Sequence, residues 1–276
     1  MLGSCLGINI KKILVGDVMT ILIAGGDSFT WGSELSDCIT TKQDHHYSLS
    51  TYSSLLAKQL DMSYSCVALP GNSNSGISRL VTRAVHNTKD KFDVCVIVMW
   101  TFPNRFEFRW NTNTGTRSHP WYSITPWTHE TKVDRIKSHF KRDNKDILNH
   151  HENHAKTMAS NGIADFSKNY YKIIGDSEVW EYYTTYKEIV FLQNYLKKHN
   201  VPYIFTFAED IFNILSKDSD LDVLLSEIDM DNFYDFEGFY RWACDNGYPI
   251  GTTHPLELAH EDFCDMLLPL AKKIYL

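Results

Sequence analysis

The chain has 276 residues, 43% of them hydrophobic and 22% charged, with a formal net charge of −7. That composition fits one sizeable folded domain and excludes a disordered or low-complexity chain. The acidic balance offers no global field for nucleic acid, and no run reaches the ~18 apolar residues of a membrane span, so neither a nucleic acid nor a membrane is an expected partner.

Residues 1–18 read as a non-core leader. Leu2-Gly3-Ser4-Cys5 has the look of a lipoprotein cleavage box, but no basic region or apolar stretch precedes it, as a secretory signal requires. The domain proper is expected over 19–276. The cysteines at 5, 38, 66, 95, 244 and 264 form no C-x-x-C pair. Scattered thiols fit a reducing compartment, so a cytoplasmic location is expected, with Cys66 and Cys95 acting as small hydrophobes inside strands.

Residues 20–24 (TILIA) form a continuous apolar, β-branched run that stops at Gly25-Gly26. Continuous rather than alternating hydrophobicity predicts a strand covered on both faces, as in a parallel sheet. Residues 51–60 carry Leu55, Leu56 and Leu60 at helical spacing. Residues 64–69 predict a second strand ending at Pro70-Gly71. The stripe Ile77, Leu80, Val81 and Val85 predicts a helix over 75–88, and 93–100 (DVCVIVMW) a third strand. From about 110 to 176 the alternation breaks, with short helical pieces at 132–139 and 146–158; this segment is expected to be an insertion beside the mouth of the sheet. A long amphipathic helix over 178–199 then leads to a strand at 203–207. The final helix is expected over 255–274, with Thr253 as N-cap and Pro255 in its first turn. The order strand, helix, strand, helix predicts a three-layer α/β/α, flavodoxin-like doubly wound parallel sheet with an inserted, mostly helical and loop segment.

Two segments carry candidate chemistry. Gly25-Gly26-Asp27-Ser28-Phe29 places a serine at the C-terminal end of the first strand, where open α/β sheets bind ligands. Glycines allow a tight turn there, and a following helix N-terminus offers N–H groups to a developing oxyanion. A plain strand-to-loop turn uses the same residue types. Near the other end, Gly251-Thr252-Thr253-His254-Pro255 holds a histidine on a short, stiff connection, as a general base requires; a surface or capping histidine is the alternative.

Together these segments resemble the SGNH (GDSL-type) hydrolases. The likeness spans 19–276 on few matching positions. It implies ester hydrolysis without a metal or other cofactor, with Ser28 as nucleophile and His254 as base. It also implies Gly71, in Pro70-Gly71-Asn72-Ser73-Asn74, as an oxyanion donor beside the Ser28 N–H. The chain departs from that family twice. The family's Gly-x-Asn-Asp block reads Trp100-Thr101-Phe102-Pro103, leaving Thr101, Asn104 or Asn74 as substitutes for the side-chain oxyanion donor. The acid three residues before the histidine is replaced by Gly251. A Ser–His dyad, a backbone carbonyl or a carboxylate from elsewhere, Asp245 being nearest upstream, must then orient His254. Glu257-Leu258-Ala259-His260 has the acid-x-x-His spacing and makes His260 a rival base.

Other features have blander readings. Arg105 and Glu107 are expected to form an ion pair, or else to bind a polar substrate. His150, His151 and His154 include an i, i+4 pair but lack a third ligand, so a solvated cluster is preferred to a metal site. Trp110, Trp121, Tyr122 and Trp127 either stack on sugar rings or pack the insertion. The resemblance implies a small-molecule or carbohydrate ester as partner, with a carbohydrate O-acetyl or another small acyl ester favoured. The rival is a catalytically silent binding or structural module on the same fold. The oligomeric state is left open.

Overall fold

The computed structural model describes residues 19–40, 45–109, 121–129, 156–158, 160–234 and 236–276. In chain order its elements begin with β1 (Thr20–Gly25), α1 (Ser28–Trp31), β2 (Ile39–Thr40), β3 (His45–His46), α2 (Tyr52–Gln59), β4 (Ser63–Cys66) and α3 (Asn74–Thr88). They continue with β5 (Asp93–Trp100), β6 (Phe106–Arg109), β7 (Trp121–Ile124), α4 (Ile163–Tyr170) and a π-helical turn at Tyr171–Gly175. The last are α5 (Glu178–Lys198), β8 (Tyr203–Phe207), α6 (Ser219–Ser226), a 3₁₀ turn at Met230–Asn232, α7 (Phe239–Asp245) and α8 (Glu257–Tyr275).

The central sheet is four-stranded and parallel, in the order β4-β1-β5-β8. Its register sets Leu22 of β1 between Tyr64 of β4 and Cys95 of β5, and Val96 of β5 beside Tyr203 of β8. Counted along the chain, the strands run 2-1-3-4, the flavodoxin-like order, with its switch point between β1 and β5.

The period of two along each strand explains the uninterrupted apolar runs. Ile21, Ile23, Val96, Val98 and Phe205 face one side and pack on Ile77 and Val81 of α3 and Ile189 and Leu192 of α5. Leu22, Ala24, Ile97, Met99 and Ile204 face the other and pack on Leu56 of α2, Phe239 of α7 and Phe263 and Leu267 of α8. Both faces are therefore covered, and each fully buried aliphatic side chain contributes about 1.5–3 kcal/mol. The three layers expected from the sequence are present.

Boundaries shift where polar chemistry decides. The second strand ends at Cys66 rather than 69, because the chain is already bending into the Leu69–Asn72 turn, closed by Asn72 N–H to Leu69 O at 3.1 Å. Cys95 is buried as expected, but Cys66 on the edge strand is only half-buried. The final helix begins at Glu257, not Pro255, and Thr253 is not its N-cap. Residues 250 and 255 instead pair as an antiparallel bridge, with Leu256 N–H donating to Pro249 O at 2.9 Å. The elements α6 and α7 were not legible in the sequence; each is shorter than ten residues and lacks a long apolar stripe.

Of the expected insertion, the described residues include β7, α4 and the π turn; β6 lies just before it and pairs with β7 as an antiparallel ribbon. It has a small core of its own, built from Ile124, Met158, Ile163 and Tyr171 with Phe106 and Phe108 against it. Tyr171 OH fastens it by donating to Asn104 O and Ile124 O at 2.7 and 3.0 Å. The leader 1–18, the segment 132–139 and nearly all of 146–158 lie outside the described residues.

Candidate active site

The chain leaves β1 through Gly25 and Gly26. A Cβ on Gly26 would overlap the Thr30 hydroxyl, so this turn closes only on glycine. Asp27 then caps the single turn of α1, its Oδ1 accepting from Phe29 N–H at 3.0 Å. Ser28 is the first residue of that turn, beside the switch point of the sheet. It is 8% exposed. Its Oγ hydrogen-bonds to no described residue and is not among the sealed polar atoms, so it opens to solvent. Its N–H, at the first helical position, has no intrahelical acceptor.

Asp27 is fully buried, and its second oxygen is held from two sides. Thr101 Oγ donates to Oδ2 at 2.6 Å and Arg105 Nη1 at 2.9 Å, the arginine side chain itself being only 8% exposed. Arg105 also donates to Asn72 O at 3.2 Å, and its guanidinium lies over the Phe102 ring at 4.7 Å. The loops after β1, β4 and β5 are thus tied together under the serine. The expected Arg105–Glu107 pair does not form; Arg105 pairs with Asp27, and Glu107 takes a two-pronged bond from Arg79 at 2.6 and 2.9 Å. Arg105 precedes β6 and turns inward to Asp27, whereas Glu107, on the strand, faces Arg79 of α3.

The side-chain oxyanion candidates meet different fates. Asn74 donates through Nδ2 to Thr101 O at 3.1 Å and to Thr185 Oγ at 3.0 Å, while its Oδ1 accepts from Thr101 N–H at 2.8 Å. Both its N–H bonds are engaged. Thr101 has spent its hydroxyl proton on Asp27 and its N–H on Asn74. Neither has a donor left, so both serve to pin the end of β5 to the start of α3. Asn104 turns toward a small pocket between Arg105, Tyr171 and Glu181, where its Oδ1 is buried without a partner. In that pocket burial, followed by Asp176 and Glu178, pushes the Glu181 carboxyl up to about 7. Gly71 sits exposed at the tip of its turn with φ +74°.

His254 lies on the turn between the paired residues 250 and 255, which Gly251 N–H closes by donating to His254 O at 2.8 Å. Its ring meets the Phe29 ring edge-on with centroids 5.2 Å apart. Phe29 follows Ser28 directly and also contacts Phe102, Phe239 and Tyr240. An aromatic cluster thus brings the segment near the chain's start to the segment near its end.

On the far side of the ring stands a residue that sequence reasoning missed. Glu34 Oε1 lies 3.1 Å from His254 Nδ1, and the Thr253 hydroxyl is 3.0 Å from the same nitrogen. The other Glu34 oxygen accepts from the N–H groups of Thr252 and Thr253. Glu34 reaches this place because α1 ends at Gly32 in the left-handed region, and Glu34 itself has φ +71°. Ser36 N–H then bonds Glu257 Oε1 at 2.7 Å and anchors the loop to α8. Burial raises the Glu34 carboxyl, but the hydrogen bond and charge of His254, with the two N–H groups, outweigh it and hold the carboxyl below its ordinary value. The one hint in the sequence was the missing acid at 251. Asp245 does not fill the gap; it is exposed and pairs with Arg241 at 3.4 Å.

His260 is no base. It is 1% exposed, stacks on Tyr52 and accepts the Tyr52 N–H at 3.3 Å through Nδ1, capping α2 from across the layer. Burial drives its imidazole down to about 3, so it is neutral across the working range.

Trp121 and Trp127 are exposed, Tyr122 stacks on Phe108, and Trp110 lies outside the described residues. Trp121 lies under Arg79, 4.6 Å from the guanidinium, along a groove of about 510 Å³ between α3, α5 and the ribbon. Neither Ser28 nor His254 lines that groove. Among the described residues no three His, Cys, Asp or Glu side chains gather as a metal site, and residues 150, 151 and 154 lie outside them. No described helix is long and apolar enough to cross a membrane.

No family model matches the chain, and no curated protein matches it in sequence. Solved structures do. The psychrotrophic esterase EstA from Pseudoalteromonas sp. superposes with a TM-score of 0.42 at 11% identity, over 92% of this chain and 97% of its own. A carbohydrate esterase family 2 enzyme with a carbohydrate-binding domain, from Corynascus thermopiles (Myceliophthora fergusii), gives 0.46 at 13% identity over 94% and 68%. The acetyl xylan esterase Est2A from Butyrivibrio proteoclasticus gives 0.42 at 14% identity over 95% and 65%. Likeness at this level fixes neither chemistry nor substrate, which rest on the geometry of the residues themselves.

Proposed function

We propose that the protein is a serine ester hydrolase of the SGNH/GDSL type. The observation that carries this reading is the meeting across the aromatic cluster: a serine with an uncommitted Oγ on the first turn of α1, and the ring of His254 packed on the next side chain, Phe29. In the first half-reaction Ser28 Oγ bonds to the ester carbonyl carbon while its proton passes to His254 Nε2. The carbonyl oxygen becomes an oxyanion, held by the N–H groups of Ser28 and Gly71. As the tetrahedral species collapses, the bond to the alcohol oxygen breaks and that oxygen takes the proton from Nε2. Water then repeats the sequence on the acyl-serine, giving the carboxylic acid and restoring Ser28.

A small acyl group suits a serine that is only 8% exposed, and an O-acetyl sugar is the favoured carrier. The silent-module alternative draws on the missing acid at 251 and the altered block at 100–103, and the carboxylate beside His254 answers the first of these. The test is release of p-nitrophenol from its acetate ester. Wild-type protein should turn over, and Ser28→Ala should lose at least about a thousandfold in kcat/KM. Equal rates in the two proteins would remove the proposal.

A further inference from the structure

We infer that Glu34 is the carboxylate that orients His254, and that residue 251 is glycine because Glu34 occupies the space a side chain there would fill. The inference rests on the hydrolase reading for its catalytic meaning, though the contact itself does not. Glu34 Oε1 is 3.1 Å from His254 Nδ1, within hydrogen-bonding reach. A Cβ built on Gly251 would overlap Glu34 Oε2, the oxygen that accepts from the Thr252 and Thr253 N–H groups. A side chain at 251 would therefore have to push the Glu34 carboxylate out of these bonds.

The backbone is arranged for the delivery. Glu34 holds φ +71°, a left-handed conformation that a non-glycine residue keeps only where the surroundings compensate. Its compensation is the bond to His254, the two N–H groups, and the anchor of Ser36 on Glu257. Glu34 is thus a positioning residue. It accepts the Nδ1–H, which leaves the lone pair on Nε2 to take the Ser28 proton. It then stabilises the imidazolium without taking a proton itself. The depressed carboxyl agrees with an anion kept ready for that partner.

The experiment uses the full chain and four proteins: wild type, Glu34→Gln, Glu34→Ala, and Glu34→Ala combined with Gly251→Asp. With p-nitrophenyl acetate, Glu34→Gln should lower kcat about a thousandfold to ten-thousandfold with little change in KM or melting temperature. The double variant, which moves the acid to three residues before the histidine, should recover at least about tenfold over Glu34→Ala. A kcat for Glu34→Gln within threefold of wild type, with an unchanged pH profile, overturns the inference while leaving the hydrolase reading intact. Failure of wild type to turn over any ester would sink the hydrolase reading instead. Nitrogen NMR of His254 then decides on Glu34 alone. The neutral ring should carry its proton on Nδ1 in wild type and shift toward Nε2 in Glu34→Ala; the same tautomer in both proteins overturns the contact.

Discussion

Two carboxylates flank the candidate nucleophile, and they are held in opposite ways. Asp27, one residue before Ser28, is fully buried and locked by a buried arginine, a threonine hydroxyl and a backbone N–H. Glu34, six residues after Ser28, keeps 26% of its side chain exposed and touches a histidine whose charge can change. Both oxygens of the first have fixed partners, so its contribution is to shape. The second lies on a loop held from a few points, so its contribution follows the charge of its neighbour. The proposed hydrolase would use both: one carboxylate to fix where the hydroxyl sits, and one to respond when a proton arrives.

The sharpest way to break this contrast is at Arg105. Arg105→Met leaves Asp27 charged and buried against only two neutral donors, and should cost about 3–5 kcal/mol in urea denaturation. Adding Asp27→Asn should recover part of the loss, because the uncompensated charge goes with it. A loss under 1 kcal/mol would mean that Asp27 is not locked as described. Next in size, Asn74→Ala removes the clasp between β5 and α3 and should cost about 1–3 kcal/mol. The kcat of the protein that remains folded should stay within about threefold of wild type, since both Asn74 N–H bonds are engaged. A hundredfold fall in kcat would instead make Asn74 an oxyanion donor.

Two groups, His260 and Glu34 itself, sharpen the contrast through pH. His260 binds its proton less readily in the folded protein, at about 3, than in the unfolded chain near 6.5. The unfolded state therefore gains protons first as the pH falls. The stability His260 confers is complete above about 6.5 and declines below it, by up to about 1.4 kcal/mol per pH unit until about 3. The slope should flatten in His260→Gln; an unchanged slope would assign it to other groups. Glu34 has the same sign, with stability present above its ordinary range and lost as the carboxyl protonates. Because it is partly exposed, its share should be the smaller.

The sheet was legible because burial on both faces writes itself as unbroken apolar runs, as in 93–100. Helix α3 was legible from its stripe, and the Ser28 turn from its glycines. What stayed hidden depends on contacts between residues distant in sequence. Nothing near Glu34 marks it out: it follows a short helix, and its partner lies 220 positions away. Proximity in sequence pairs Arg105 with Glu107, yet Arg105 sits before β6 and reaches the buried Asp27, while Arg79 of α3 takes Glu107. The 253–255 segment read as a helix start because Thr and Pro favour one, but the Thr253 hydroxyl bonds Glu34 and the ring of His254, and the helix waits until 257. His260 had the acid-x-x-His spacing of a base and proved to be a buried cap.

The account turns on an oxygen at Ser28 that an electrophile can reach and a neighbouring imidazole can activate. Treatment of the folded protein with a fluorophosphonate, followed by peptide mass spectrometry, reads both at once. A single modified peptide containing Ser28, with labelling slowed strongly in His254→Ala and lost in Ser28→Ala, is the predicted result. No label on Ser28 across probes of several sizes, or labelling that ignores the loss of His254, would contradict it.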